Sequence, residues 1–193
     1  ETLPAIARRN AAIRKWLATE RNNEATNVRL LTLHEEYNIL PRVSWRSFRD
    51  TVRRFIHDVI GEVPAWDSVE GNLGGFSGGA STSRQRTMSH PAQKYLGQAD
   101  ITEAALPYFE ELLDDSEVWK LMRGSDSIRV VPGNVLFTVP KNTEIDRCAC
   151  KEPDLNMYLQ RGFGAVIRRS LKRVGIDLND QSRNRDLARQ GSF

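Results

Sequence analysis

Apolar residues in the first third of the chain recur at steps of three and four positions, which is the spacing of one face of a helix. They predict a helix over residues 3–33, with the polar stretch 21–24 as a candidate break. The same spacing continues from Trp45 to Val59. Ser44 is a preferred N-cap residue, and Gly61 suits the position just after a helix. The first sixty residues are therefore predicted to form two main helices.

The next distinctive segment, residues 71–83, contains five glycines and no charged residue. It predicts a loop, and two interpretations of that loop stay open. It could be a flexible linker between helical lobes. Alternatively, its backbone could pass close to a ligand, because glycine has no side chain to prevent the approach. Phe76 favours the second interpretation, since glycine- and serine-rich linkers seldom carry a large aromatic residue.

The last ninety residues mix helical and alternating patterns. Thr102 is a candidate cap for a helix that runs to about Arg123. Alternation then predicts three short strands: residues 127–131 and 135–139, joined in a hairpin by the turn 132–134, and residues 145–150, joined through 141–144.

A long helix is predicted after Pro153, with Asp154 as its cap and Gly175 at its end. A short helix over residues 181–189 follows. The predicted fold class is α+β, mostly helical with a small antiparallel β-hairpin element. All four tryptophans (Trp16, Trp45, Trp66 and Trp119) are expected in the core, and Cys148 and Cys150 on the back of the hairpin.

Charge is distributed unevenly along the 193 residues, although the net charge is only +3. Residues 1–60 carry a net charge of +4, residues 61–128 carry −6, and residues 129–193 carry +5. Two basic segments that flank an acidic one are consistent with unequal arginine use on solvated helices, or with binding of a polyanion.

No complete catalytic or metal-binding motif is present. Residues 34–38 begin like a zinc-protease motif but carry Asn38 where the second histidine is needed. The two cysteines lie far from the three histidines, so no metal ligands are expected in this chain.

Three cations near the predicted hairpin form the strongest candidate binding site. Lys141 lies in the turn, and Arg147 and Lys151 share one face of the returning strand because side chains alternate along a strand. Such a group suits the oxygens of a triphosphate or phosphodiester. Asp146 and Glu152 could instead pair with these cations in a structural network, and both alternatives stay open.

The segment VPKNTEIDRCACKEPDLNMYLQRGFGAVIRRSLKRVGIDLNDQSRNRDLARQGS, residues 139–192, closely resembles the replicase (β) subunit of the leviviruses, the small RNA coliphages. Residues 14–30, 60–73 and 76–83 resemble the same family in the same order. The resemblance implies the fingers portion of a right-hand RNA-directed RNA polymerase. It divides the chain into a helical N-terminal region (1–75), a template-side Gly/Ser-rich loop (76–100) and a C-terminal region with the hairpin and a basic helix (101–193).

The resemblance also implies roles for individual residues. Lys141 and Arg147 match the hairpin that holds the triphosphate of the incoming nucleotide in such polymerases, and Lys151 replaces an apolar residue of the family pattern. Template RNA is expected to contact the Gly/Ser-rich loop and the basic helix, with these candidate residues: Gly78, Gly79, Ser81, Thr82, Arg84, His90, Arg168 and Arg169.

Catalysis in this family uses two Mg²⁺ ions held by palm aspartates. The two segments that carry those aspartates, DLSxASD-like and YGDD-like, do not occur in this sequence. The chain is therefore expected to be a fragment that does not polymerise alone. The implied partners are template RNA, nucleoside triphosphates and the host elongation factors Tu and Ts, in the cytoplasm of an infected bacterium and without membrane contact.

Two other classes of function stay open. The chain could be a stand-alone RNA-binding module that uses its basic segments and glycine-rich loop. It could also be a structural piece that docks a host factor. The first predicts salt-dependent RNA binding, and the second predicts little RNA affinity.

Overall fold

The computed structural model describes residues 3–61, 74–124 and 128–191. This part of the chain is α+β, as predicted. The helices are α1 (Ala5–Thr32), α2 (Trp45–Ile60), α3 (Leu106–Asp114), α4 (Glu117–Arg123), α5 (Asp154–Arg173) and α6 (Ser182–Gln190). The strands are β1 (Asn38–Leu40), β2 (Val43–Ser44), β3 (Ala99–Ile101), β4 (Ile128–Val130), β5 (Val135–Pro140) and β6 (Asp146–Lys151). Short 3-10 helices occupy Arg86–Met88, Pro91–Tyr95 and Glu103–Ala105.

The predicted ends of α2 are confirmed. The Ser44 hydroxyl accepts a hydrogen bond from the Ser47 N–H at 3.2 Å, which satisfies one of the free donors at the helix start. Gly61 follows the last turn with φ of +89°, a conformation that favours glycine. The break proposed in the first helix is wrong, because α1 continues without interruption through residues 21–24.

The single helix predicted from Thr102 to Arg123 is wrong. The helical chain is interrupted at Asp115 and Ser116, which gives the two shorter helices α3 and α4. Thr102 does not cap either helix. Its hydroxyl accepts a hydrogen bond from the Asn156 amide at 2.7 Å, and its N–H donates to the Asn156 side-chain oxygen at 2.9 Å.

Strand pairing differs from the prediction in one respect. β5 and β6 form the antiparallel hairpin that joins through residues 141–145, with Val139 opposite Arg147 and Val135 opposite Lys151. The second predicted hairpin, between 127–131 and 135–139, is wrong. β4 instead pairs in parallel with the distant β3, and the Val131 N–H extends that ladder to the Ile101 carbonyl at 2.8 Å.

The core lies where the glycine-rich segment meets β3, α3, α4 and α5. Its buried members are Phe76, Ala99, Ile101, Phe109, Trp119 and Leu155. Phe76 is 4% exposed and packs edge-to-face on Tyr95 and Trp119, with ring centroids 4.9 and 6.2 Å apart. Because Phe76 anchors the segment, the flexible-linker interpretation is wrong for residues 74–83, hereafter the glycine loop. The rest of the glycine-rich segment, and Trp66, lie outside the described residues.

The remaining helices pack around this core in two groups. α1 lies against the β5–β6 hairpin, and α2 packs against α5. No helix in the described ranges combines the length and apolar character needed to cross a membrane.

Candidate functional site

The hairpin positions two of the predicted ligands through its own tight tip. Lys141 follows the last residue of β5, and its N–H donates to the Ile145 carbonyl at 3.3 Å. The Asn142 side-chain oxygen accepts from the N–H groups of Glu144 and Ile145 at 3.0 and 2.8 Å. These local bonds hold the tip closed and place Lys141 close to Arg147, the second residue of β6.

Lys141 and Arg147 line the same cavity, a cleft of about 210 Å³ between α1 and the hairpin tip, hereafter the α1–hairpin cleft. Its lining comes from one helix face and from the hairpin: Ala12, Lys15, Trp16, Thr19, Lys141, Ile145, Asp146, Arg147 and Cys148. The structure therefore brings the two predicted triphosphate ligands together at an open cleft.

The acidic residues of the hairpin do not neutralise these two cations. Asp146 is 8% exposed, accepts from Arg8 Nε at 3.2 Å, and accepts from the Thr138 hydroxyl at 3.0 Å. Glu152 accepts from the Asn134 amide at 3.1 Å. Within the described residues neither Lys141 nor Arg147 has an ion-pair partner. The alternative of a structural network with Asp146 and Glu152 is therefore wrong for this pair.

Lys151, the third cation, has a different environment. It shares the face of Arg147, as the alternation predicts, and its ammonium lies 5.5 Å from the centre of the Phe137 ring. Such a cation–π contact stabilises the hairpin, and Lys151 is not among the residues that line the α1–hairpin cleft. Cys148 is half-buried and lines the α1–hairpin cleft, and Cys150 is exposed, so the expectation that both cysteines lie on the back of the hairpin is wrong.

The α1 side of the cleft was missed at the sequence level. Trp16, expected in the core, is 39% exposed and lines the cleft beside Lys15. A signal was present, because Ala12, Lys15, Trp16 and Thr19 have the i, i+3, i+4, i+7 spacing of one helix face. That spacing shows which residues share a face but not what the face packs against.

The glycine loop is fixed by a buried lysine. Lys94 is fully buried and donates to the carbonyls of Ser77 and Gly79 at 2.7 and 2.6 Å, and burial lowers its pKa. Ser89 donates to the Gly78 carbonyl at 2.9 Å. Three consecutive carbonyls are thus satisfied by the protein. The N–H groups of Gly78 and Gly79 have no acceptor among the described residues, and both glycines are exposed.

The glycines are expected to let another group come close to the backbone, and at one of them that group is a side chain of the protein itself. A side-chain carbon at Gly74 would lie 2.1 Å from the Tyr158 ring, so this glycine is needed for packing. At Gly78 the same atom would meet nothing within 4 Å. Room for an external ligand therefore exists at Gly78, while Gly74 serves the core.

The far end of the loop is anchored on Asp154, which was predicted as a helix cap. Pro153 occupies the cap position instead. The fully buried Asp154 carboxylate accepts from the hydroxyls of Ser81 and Ser83, the latter at 2.5 Å, and from the Asp100 N–H at 3.1 Å. Ser81 is thus committed to an internal bond.

Thr82, the loop residue between the two serines, also belongs to this anchor. Its N–H donates to the Glu152 carbonyl at 3.0 Å. Glu152 directly follows the last residue of β6. The loop and the hairpin therefore meet at the short segment 152–154.

Arg84 and His90 both make contacts within their own segment. The Arg84 guanidinium donates to the carbonyl of Leu96, and to that of Gln98 at 3.4 Å. His90 Nδ1 accepts from the Ala92 N–H at 3.2 Å. Arg84 is half-buried by this arrangement, whereas His90 is exposed.

Arg168 and Arg169 lie on α5, away from the α1–hairpin cleft. Both are exposed, and neither forms an ion pair within the ranges that the structure covers. Lys172, one turn later, is paired with Asp177 at 3.0 Å. The two arginines therefore form a separate basic patch.

No cluster of three or more histidine, cysteine, aspartate or glutamate side chains in residues 3–61, 74–124 and 128–191 could hold a metal ion. The chemistry available here is the binding of anions, with cations at the hairpin and backbone N–H groups at the glycine loop.

The chain is similar in sequence to known proteins along most of its length. The family model "RNA replicase, beta-chain" matches residues 4–193. The RNA-directed RNA polymerase beta chain of Escherichia phage MS2 is 42% identical over 94% of this chain and 34% of its own length. The corresponding protein of Enterobacteria phage fr is 50% identical over 61% of this chain and 22% of its own length.

The RNA-directed RNA polymerase subunit beta of Escherichia virus Qbeta is 39% identical over 92% of this chain and 29% of its own length. The matched segments thus cover between about a fifth and about a third of the length of these relatives. Its matched range covers the helical N-terminus, the glycine loop, the hairpin and α5. The chain belongs to the RNA replicase beta-chain family.

Proposed function

We propose that this chain is the fingers region of a phage RNA-directed RNA polymerase, and that it binds the triphosphate of the incoming nucleotide through Lys141 and Arg147. One observation carries the proposal. Both cations line the α1–hairpin cleft, and the one carboxylate of that cleft, Asp146, is already paired with Arg8. The cleft therefore offers positive charge that the protein itself does not neutralise.

The proposed chemistry is electrostatic. Phosphoryl transfer depends mainly on positioning and on neutralising charge, so Lys141 and Arg147 would orient the triphosphate without moving a proton. Arg147 can bind two oxygens at once, whereas Lys141 acts as a point charge. The metal ligands for catalysis lie elsewhere in the family, and we expect no polymerisation by this chain alone.

Template RNA is proposed to bind at the glycine loop and at the α5 patch. The exposed Gly78 and Gly79 offer N–H groups that have no acceptor in the part of the chain that the structure describes, and Arg168 and Arg169 have no ion-pair partner there. Ser81, Thr82 and Arg84 support the loop from inside, and His90 lies at its exposed side. Host elongation factors Tu and Ts as partners, and the cytoplasm of an infected bacterium as location, belong to the same proposal.

The test is a titration of the 193-residue chain with inorganic tripolyphosphate and with ATP, by calorimetry. A hydrogen bond to a charged group contributes about 1.5–3 kcal/mol. Arg147→Ala or Lys141→Ala should therefore weaken binding at least tenfold, while Arg14→Ala, on the exposed side of α1, should leave it unchanged. The proposal is wrong if the chain binds neither ligand, or if Arg147→Ala and Arg14→Ala behave alike.

A stand-alone RNA-binding module is the second candidate, favoured by the separate patch on α5. It predicts RNA binding that is independent of Lys141 and Arg147, together with no affinity for tripolyphosphate. The same titrations, repeated with a single-stranded RNA oligomer, separate the two functions.

A further inference from the structure

We propose that α1 completes the nucleotide site, with Trp16 as the platform for a base and Lys15 as a third phosphate ligand. The ligand class is a nucleoside phosphate, either free or as part of an RNA strand. This inference rests on the proposed function, because it places the phosphates on Lys141 and Arg147 as well. It adds that the base is recognised by stacking within the same cleft.

The first argument is the position of α1. Arg8 lies on the same helix face as Ala12, Lys15 and Trp16, and its ion pair with Asp146 fixes this face against the hairpin. The Leu3 N–H also donates to the Thr143 carbonyl at 3.0 Å, which ties the start of the chain to the hairpin tip. Trp16 and Lys15 therefore have a defined location relative to Arg147.

The second argument is the composition of the cleft. It combines three cations, an indole ring that is 39% exposed, and one carboxylate that is already neutralised. Cations beside an exposed aromatic ring are the combination by which proteins hold single-stranded nucleic acid and nucleotides without base specificity. Thr19 does not compete for the phosphate, because its hydroxyl donates to the Lys15 carbonyl at 3.0 Å.

The third argument is size. The cleft holds about 210 Å³, which is below the range of roughly 300–1,000 Å³ for sites that enclose a drug-sized ligand. It can therefore enclose only part of a nucleotide. A base stacked on Trp16 would occupy the apolar floor made by Ala12 and Ile145, and the phosphates would lie at the rim among the cations.

The experiment compares two ligands that differ by the base. Wild-type chain and variants are titrated with ATP and with tripolyphosphate, and the fold is checked by circular dichroism. Trp16→Ala should weaken the binding of ATP about tenfold and leave the binding of tripolyphosphate unchanged, because only the base contacts the indole ring. Trp16→Phe should retain most of the ATP affinity, since phenylalanine can still stack.

Lys15→Gln should weaken the binding of ATP and of tripolyphosphate by the same factor. Matched controls are Trp45→Phe on α2 and Arg14→Gln on α1, neither of which lines the cleft. A single-stranded RNA oligomer that displaces ATP would show that RNA can occupy the same platform. If the oligomer does not displace ATP, the Trp16 platform is assigned to free nucleotides.

The inference is overturned if Trp16→Ala weakens both ligands equally, which would indicate a purely structural role, or weakens neither. Failure of this inference is distinct from failure of the proposed function. Tripolyphosphate binding that depends on Lys141 and Arg147 but not on Lys15 would leave the proposed function intact. A chain that binds no tripolyphosphate would remove both.

Discussion

Single residues in this chain differ most in whether their charge is satisfied by the protein. Asp154 accepts three hydrogen bonds in a fully buried position, and Lys94 donates hydrogen bonds to two backbone carbonyls. Lys141 and Arg147 have no such partners among the described residues. A buried charge needs partners and an exposed one does not. Asp154 and Lys94 therefore stabilise the structure, whereas Lys141 and Arg147 are available to a ligand.

Removal of the Asp154 carboxylate should destabilise the fold strongly. Asp154→Ala leaves two hydroxyls and the Asp100 N–H without an acceptor, at a cost of about 1–3 kcal/mol for each buried group. We expect a loss of about 3–5 kcal/mol in the free energy of unfolding, measured with urea, and a smaller loss for Asp154→Asn. Asp186→Ala, at an exposed position, is the control. An equal effect of both alanine variants would contradict the stabilising role of the Asp154 carboxylate.

Acid should weaken the contact between Asp100 and Arg129. Burial, the largest single influence, raises the pKa of Asp100, but the hydrogen bonds from Arg129, both 2.9 Å, together with the Thr82 hydroxyl and the positive charge of Arg129, lower the pKa below the ordinary 3.8. The folded state then binds protons less readily than the unfolded state. The resulting stability is complete above the ordinary pKa and is lost as pH falls through the lowered one.

The measurement is the difference in free energy of unfolding between the wild-type chain and Asp100→Asn. That difference should be constant above about pH 5 and should shrink below pH 3.8. A difference that stays the same down to pH 2.5 would show that the ion pair does not stabilise the folded state.

Sequence patterns predicted some of these residues and not others. Lys141 and Arg147 were found because they lie six positions apart on a locally formed hairpin. Lys94 and Asp154 could not be assigned, because their partners are 15 to 73 positions away in the chain. Trp16 was assigned to the core because a tryptophan on a helix face is more often buried than exposed.

At the scale of elements, one buried ion pair contributes strongly to the contact between α1 and the hairpin. Arg8 and Asp146 are 14% and 8% exposed. Breaking a buried pair leaves an uncompensated charge and costs about 3–5 kcal/mol, whereas surface pairs contribute little. The pair therefore helps to hold α1 in place as the second wall of the α1–hairpin cleft.

Arg8→Ala should loosen α1 from the hairpin. We expect a loss of about 3 kcal/mol in stability and faster hydrogen exchange in the first half of α1. The neighbouring Arg9, exposed and without an ion-pair partner in the described residues, gives the control Arg9→Ala. Equal exchange rates in the two variants would show that the pair does not hold the helix.

Local elements were predicted well and distant pairings were not. The β5–β6 hairpin follows from two alternating segments and a short turn, all within 17 residues. The β3–β4 ladder joins segments 29 positions apart, and β3 has only three residues with Asp100 at its centre. A strand so short, with a charge that Arg129 neutralises from the partner strand, has no recognisable pattern.

At the scale of the whole molecule, two of its basic surfaces have different expected ligands. The α1–hairpin cleft carries cations beside an aromatic ring, and α5 carries Arg168 and Arg169 on an open helix surface. The uneven charge of the sequence is consistent with polyanion binding or with solvated helices, and it does not separate these two surfaces. The two surfaces can be told apart only once the positions of α1 and α5 in the fold are known.

RNA binding should depend on salt, with a slope of about −0.7 in log affinity for each phosphate that is neutralised. Replacing Arg168 and Arg169 together with glutamine should reduce the magnitude of the slope by about 1.4. A binding titration at several salt concentrations measures it, with the exposed pair Arg53 and Arg54 replaced as the control. An unchanged slope in the α5 variant would place the template elsewhere.

The segment 152–154 has a consequence for how this region can change in evolution. It accepts hydrogen bonds from Thr82, Ser81 and Ser83 of the glycine loop, and it directly follows the strand that carries Arg147. Extra residues at the hairpin tip would alter one surface only. An insertion after Lys151 would move both the strand and the loop out of register, so we expect sequence length to vary between relatives at the tip and to be invariant at this junction.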